Sequence, residues 1–442
     1  MSRLPRIAVG TIQPAVAGTT MLWALMDALE REGLRIQNFL SRACFCGPNA
    51  ALAITGQPPR HLDSWLMSAE QCRASFVRGC ASCDLAIVEG QYGPTRARGS
   101  QLGGDLETLC DWLHLPRLAI VDAASLAGCH LPERPRSLDG VLLDRVADRG
   151  RFLELKTLLE SLWNVPVLGH LAAIEGLRQL VESASVGEQP SLGLCHALGS
   201  QFVRNAELAS IRRLANRCRF PSRAAPDDCP PQANCAVRVA VAFDEAFGFC
   251  FPDALELLEQ KGAVLCDFSP LRDERLPPRC DVVYIGCGFP ELFSEPLANN
   301  HCMLLALKSH ACSGRRIYAE GGGLAYLCDH ITLADGREVP MAGVFRGAAH
   351  FNPAAGAPRP TELTWTRNTW FGPSPLSWRG YLNERWTIAP ADELKRCAKE
   401  AGHEADLVST QQAIGSRLLV DFAARDELLD TFVQPFSTGG AR

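Results

Sequence analysis

The chain has 442 residues, enough for two domains of ordinary size, each with its own core. A composition of 47% hydrophobic and 21% charged residues is globular and excludes a disordered polymer. The formal net charge of −5 leaves no basic excess for nucleic acid, and no apolar run nears the roughly 18 residues of a membrane span. The opening MSRLPRIAVGTIQPAV reads as a strand bracketed by Pro5 and Pro14, not as a secretory leader, which predicts a cytoplasmic protein.

In chain order, short β-branched runs at 6–10, 84–88, 117–121, 139–143 and 165–169 alternate with helical stretches, the pattern of a parallel sheet covered on both faces. The clearest helix spans 20–32, with Leu22, Leu25, Met26 and Leu29 on one face and Gly33 at its C-terminal cap. Four prolines interrupt 216–236, which reads as a linker between a domain at 1–215 and another at 237–442. A second α/β run follows: strand 237–242, helix 252–261, strands 263–267 and 281–285, helix 296–309, strand 315–319 and helix 322–330. Beyond about 345, Pro353, Pro358, Pro360, Pro373 and Pro375 predict long loops.

The 19 cysteines are scattered, many in apolar surroundings such as those of Cys266, Cys302 and Cys328. Cys44 with Cys46 and Cys80 with Cys83 could together supply four soft ligands. Their spacing matches no established zinc or iron–sulfur pattern, so no such centre is predicted, and a reducing compartment disfavours disulfides.

Several segments in matching order carry a resemblance: 239–263, 268–277, 284–300 and IYAEGGGLAYL at 317–327, with 10–21, HLDSWLM at 61–67 and DLAIVEGQYG at 84–93 before them. Together they resemble the cobyrinic acid a,c-diamide synthase family, ATP-dependent and glutamine-using amidases of tetrapyrrole side-chain carboxylates. The resemblance implies an α/β fold of two doubly wound domains. The first would be P-loop ATPase-like, related to dethiobiotin synthase, and the second a flavodoxin-like class I glutaminase.

The resemblance also shows what is missing. The family's AECGG elbow carries a nucleophilic cysteine where this chain has Gly321, and a hydrogen atom cannot replace a thiolate. The family's histidine segment corresponds to GSRLLVDF at 415–422, which puts Leu419 or Asp421 in the base position; His403 is the nearest alternative. The oxyanion loop becomes Gly286-Cys287-Gly288, so Cys287 is either a relocated thiol or a small residue tolerated where catalysis no longer constrains it.

The phosphate loop falls at 10–20, keeping Gly10, Thr11, Gly18, Thr19 and Thr20 but no lysine, with Pro14 and alanines at donor and glycine positions. The stretch 41–51, where the family places acidic groups, has none. Glu89 matches the family's Mg²⁺-associated glutamate, and Asp122 is a second acid at a strand end. Asp63 and Trp65 lie where the macrocycle should dock, and Arg42, Arg60, Arg96 and Arg98 could meet its carboxylates.

Loss of several independent catalytic groups beside intact landmarks predicts a catalytically degenerate homologue. It would be a binding, scaffold or regulatory protein of tetrapyrrole or cobalamin metabolism, holding a tetrapyrrole or corrinoid and associating with itself or an active paralogue. The alternative is a divergent tetrapyrrole a,c-diamide synthase using glutamine or ammonia, which would require ATP and Mg²⁺.

Overall fold

The computed structural model describes residues 4–13, 18–45, 47–93, 103–126, 131–184, 189–218, 220, 237–391, 395–400, 403–410 and 412–434. The chain divides into two compact units, Met1–Asp227 and Asp228–Arg442.

The first unit is built on a seven-stranded sheet: β1 (Arg6–Thr11), β2 (Ile36–Leu40), β3 (Arg60–His61), β4 (Leu85–Gln91), β5 (Arg117–Asp122), β6 (Gly140–Val146) and β7 (Val167–Ala172). The order is β3-β2-β4-β1-β5-β6-β7, parallel throughout. The two faces of β1 show why it is covered on both sides. Ile7 and Val9 join the core built on helix Thr19–Glu30 and helix Leu192–Val203. Gly10, on the opposite face, lies against Leu106 of helix Leu106–Leu113.

Helix Thr19–Glu30 ends slightly earlier than its periodicity suggests, and Gly33 takes the left-handed conformation just beyond it, at φ +81°. Strands β2 and β3, not anticipated from the sequence, complete one edge. The residues at 216–218 and Phe220 pack on this unit instead of standing clear as a linker. Arg217 pairs with Asp139, and the Phe220 ring stacks on Phe76 at 5.4 Å. The rest of 216–236 lies outside the described residues.

The second unit contains β8 (Arg238–Ala242), β9 (Phe247–Phe249), β10 (Val264–Phe268), β11 (Val282–Ile285), β12 (Cys287–Gly288), β13 (Arg316–Glu320), β14 (Cys328–Thr332), β15 (Glu338–Pro340), β16 (Phe345–Phe351), β17 (Arg359–Trp365), β18 (Ser377–Leu382), β19 (Trp386–Pro390), β20 (Lys395–Glu400), β21 (His403–Thr410), β22 (Ala413–Ser416) and β23 (Leu418–Leu419). Its main sheet runs β10-β8-β11-β13-β22-β21-β20-β17-β18-β23. The first five strands are parallel and the rest antiparallel. Only Arg417 separates β22 from β23, yet the two occupy distant places in the order. The antiparallel half therefore arches round and returns the chain to the end of β13.

The expectation of long loops beyond 345 is overturned. These residues form antiparallel strands with one face wet, so β17 alternates buried Thr361, Leu363 and Trp365 with exposed Glu362 and Thr364. The prolines sit at strand ends and connections, apart from Pro360 within β17. Helix 296–309 is also two helices, Ser294–Asn299 and His301–Cys312, and the helix at 322–330 stops at Leu327 before β14.

Trp365 and Trp378 meet at 4.6 Å within a cluster that includes Tyr318, Phe371, Phe422 and Phe432. Trp378 is fully buried, so Trp378→Ala is expected to destabilise the second unit by ~3–5 kcal/mol. Denaturant unfolding of the full chain measures the loss.

Candidate functional site

The site in the second unit forms at the carboxyl ends of β11 and β13, where an open parallel sheet places its binding crevice. Strand β13 delivers Glu320 and then turns sharply into helix Gly322–Leu327. Gly321 makes that turn at φ +52° and ψ −112°, a conformation that disfavours a side chain. Its N–H donates to the Ser416 carbonyl at 2.8 Å and its own carbonyl accepts from Ala325, so the elbow is tied to β22 and to its helix. Gly322 is required for a second reason: a Cβ there would lie 2.2 Å from the Gly288 carbonyl oxygen.

A side chain at Gly321 would enter occupied space. Its Cβ would lie 3.0 Å from Cys287 Sγ, 3.4 Å from Asn383 Nδ2 and 3.7 Å from Leu419 Cδ2. The structure thus brings together the residues read as nucleophile position, oxyanion loop and base position, and fills the centre with the Cys287 thiol. Asn383 Nδ2 donates to that sulfur at 3.7 Å, and Asn383 Oδ1 accepts from the Arg385 amide at 2.9 Å, which fixes the side chain's orientation. Burial pushes the Cys287 thiol up to about 11, with the Gly322 amide pulling the other way. A thiol so protonated at neutral pH is a poor nucleophile.

Neither residue read at the base position is placed to activate it. Leu419 is fully buried and aliphatic, and Asp421 Oδ1 accepts from the Ala423 amide as the cap of the turn Phe422–Ala424. The side chain of His403 lies outside the described ones.

Glu320 is the buried acid of the elbow. Burial raises its carboxyl to about 8, against a Tyr318 hydroxyl at 2.7 Å and the Val420 amide at 3.2 Å that favour the charged form. At the rim, Glu291 pairs with Arg385, whose guanidinium lies 5.1 Å from the Phe289 ring centre. Burial pushes Glu291 up while Arg385 opposes it. Asn383 and Arg385 sit in the segment that sequence reading left as loop, and no motif marks them.

In the first unit, a cleft of about 280 Å³ lies beyond the ends of β1, β2 and β4, lined in part by Thr11, Gly18, Thr19, Ser41, Arg42 and Glu89. These include most of the sequence-predicted nucleotide residues; Gly10 and Thr20 flank them in the same strand and helix. Pro14 and the alanines beside it, Cys46, Arg96 and Arg98 lie outside the described residues. Glu89 offers one carboxylate to the cleft, and Asn49 Nδ2 donates to its Oε1 at 3.4 Å, so an amide stands where the family would supply an acid.

No cluster of three metal-ligating side chains occurs among the described residues. The sequence places no lysine at 10–20, and Glu89 is the carboxylate among the described residues that line the cleft. Asp122 is engaged elsewhere. Burial would raise its carboxyl, but the Arg145 guanidinium, donating through Nε at 2.7 Å, holds it below its ordinary value.

Asp63 is also buried. Its Oδ2 accepts from the Ala43 amide at 3.0 Å and its Oδ1 from Trp65 at 2.9 Å and Leu66 at 3.2 Å, which braces two loops together. These bonds give Asp63 a bracing role.

Comparison with known proteins places these features in a lineage. The CobB/CobQ-like glutamine amidotransferase domain matches residues 238–359. The cobyrinate a,c-diamide synthase of Leptospira interrogans is 28% identical across 98% of each chain. That of Methanosphaera stadtmanae is 31% identical, covering 77% of this chain and 78% of the relative. That of Clostridium acetobutylicum is 33% identical over 75% and 76%. Among solved structures, PurLQS from Thermotoga maritima is 15% identical, covering 45% of this chain and 98% of that one, with a TM-score of 0.35. No helix among the described residues is long and apolar enough to cross a membrane.

Two outcomes are expected at the elbow. Gly321→Ala should cost ~1–3 kcal/mol in thermal or denaturant unfolding, because its φ is unfavourable and Cys287 lies in the way. Glu320 has a folded pKa above its unfolded value, so its contribution is complete below about 4.5 and is lost as pH rises through about 8. Glu320→Gln should therefore flatten the fall of stability across that window, read from denaturation midpoints at a series of pH values.

Proposed function

The chain belongs to the cobyrinate a,c-diamide synthase family, and from that premise we propose that it is a non-catalytic member. It has kept the family's two-unit shell, lost its glutaminase and phosphoryl-transfer chemistry, and works as a binding or regulatory protein in tetrapyrrole or corrinoid metabolism. One observation carries this reading: where a nucleophilic side chain would project from Gly321, the space holds the Cys287 sulfur 3.0 Å away, with Leu419 beside it.

Glutamine hydrolysis needs a thiolate, a base to form it and amides to hold the oxyanion. The elbow amides persist, but Gly321 has no thiol and Leu419 cannot act as the base. Amidation with free ammonia would bypass the elbow yet would still need the carboxylate to be activated, for which the lysine-free cleft is poorly equipped. Arg42, which lines that cleft, is a group suited to an anionic carboxylate ligand.

The test is glutaminase and ATPase assay of the purified full chain, with absorbance titration against cobyrinic acid and sirohydrochlorin. No glutamine turnover is expected, and Gly321→Cys alone should not create it, because Leu419 cannot take the proton. Glutamine turnover that disappears in Cys287→Ala would overturn the reading in favour of a relocated thiol. ATP- and ammonia-dependent amidation of either macrocycle would overturn it in favour of a divergent synthase.

A further inference from the structure

The Cys80–Cys83 pair lies outside both sites described above, and its geometry has no evident use in either. Helix Ala69–Gly79 ends at Cys80, whose N–H donates to the Phe76 carbonyl at 3.0 Å. The chain then closes a turn in which the Cys83 N–H reaches the Cys80 carbonyl at 3.4 Å. Four residues closed in this way bring their first and last Cα atoms within about 7 Å, and a disulfide spans roughly 4.4–6.8 Å between Cα atoms. Cys80 is buried and Cys83 is half-exposed, so one thiol is reachable and the other stands behind it.

Three arginines and one carboxylate surround the pair. Arg35 stands beside Cys83 and is held by Asp84, its Nε and Nη2 each 3.0 Å from a carboxylate oxygen. Arg60 folds against the helix end, its Cδ 2.5 Å from where a Cβ on Gly79 would lie. Arg6, buried beneath, donates to the Cys218 carbonyl at 3.1 Å. Interaction with Cys80 lowers the Cys83 thiol against burial and Asp84, with Arg35 assisting, while the same interaction and burial raise Cys80. A partly exposed thiol of lowered pKa with a protonated thiol in reach is the arrangement for attack followed by resolution.

We propose that Cys80 and Cys83 form a redox-active dithiol site that exchanges with low-molecular-weight disulfides. The Cys83 thiolate attacks one sulfur of the disulfide, forming a mixed disulfide and releasing one thiolate. Cys80 then gives its proton to solvent and attacks Cys83 Sγ, forming the Cys80–Cys83 bond and expelling the second thiolate. The protein dithiol is oxidised, the small disulfide is reduced to two thiols, and no other oxidant is required. The site links the end of helix Ala69–Gly79 to the second residue before β4 and stands independently of the proposed function.

The experiment treats the full chain with oxidised glutathione, quenches with acid, alkylates the remaining thiols and maps the peptides by mass. Wild type should yield the Cys80–Cys83 disulfide. Cys80→Ser should trap glutathione on Cys83, Cys83→Ser should yield neither product, and Arg35→Gln should slow the Cys83 reaction roughly 3- to 10-fold. Unaltered thermal unfolding shows that each variant is folded. If Cys83 in Cys80→Ser reacts no faster than the exposed Cys302 and Cys312, or if Cys80 pairs with Cys218 in wild type, the proposal is overturned.

Discussion

The second unit depends on one close approach: the first turn of helix Gly322–Leu327 lies against the strand end that runs from Ile285 to Gly288. The Gly288 carbonyl leaves no room for a Cβ on Gly322, and the Ile285 carbonyl leaves none on Gly323. Only glycines let the helix start there, and only a residue comfortable at positive φ can turn the chain into it at Gly321. This geometry aims the first amides of a helix at the strand end, an arrangement suited to an anion. At its centre stands Gly321, which carries no side chain.

What surrounds the elbow explains why it is stable without a catalytic side chain. A vacant nucleophile position would leave a void in a close-packed interior. Here Cys287 supplies a sulfur of about the right size, Asn383 gives it a donor, and Leu419 seals the side. The buried Glu320 is kept by its hydrogen bonds to Tyr318 and Val420, so the polar remnant of the site is satisfied even though burial raises its carboxyl. The first unit follows a similar pattern. Asp63 is spent on backbone amides, Asp122 on Arg145, and Glu89 faces an asparagine. Asp63 and Asp122 thus serve local structure, while Glu89 keeps a place in the cleft lining.

Family membership and the alternation of parallel strands with helices were legible in the residues, because buried parallel strands read as continuous apolar runs and the elbow glycines follow a strand at fixed spacing. The strands beyond 345 were not legible. Their alternation is confined to one face and broken by prolines, and Trp365 and Trp378 become core only when these strands pair and a ring distant in the chain, Phe422, packs against Trp378. Asn383 was missed for the same reason: it reaches Cys287 across 96 positions, and nothing local marks it.

The sequence by itself determined that no thiolate can form at 321, that no lysine stands at 10–20, and that the chain follows the family's order of segments. These are matters of which atoms are present. Only the tertiary structure decided that Cys287 lies beside Gly321 as a buried, protonated thiol, that Leu419 returns beside the elbow, and that Asp63 braces loops. Those outcomes depend on distance and burial, and both are set by an arching sheet that brings residues some hundred positions apart to within van der Waals contact.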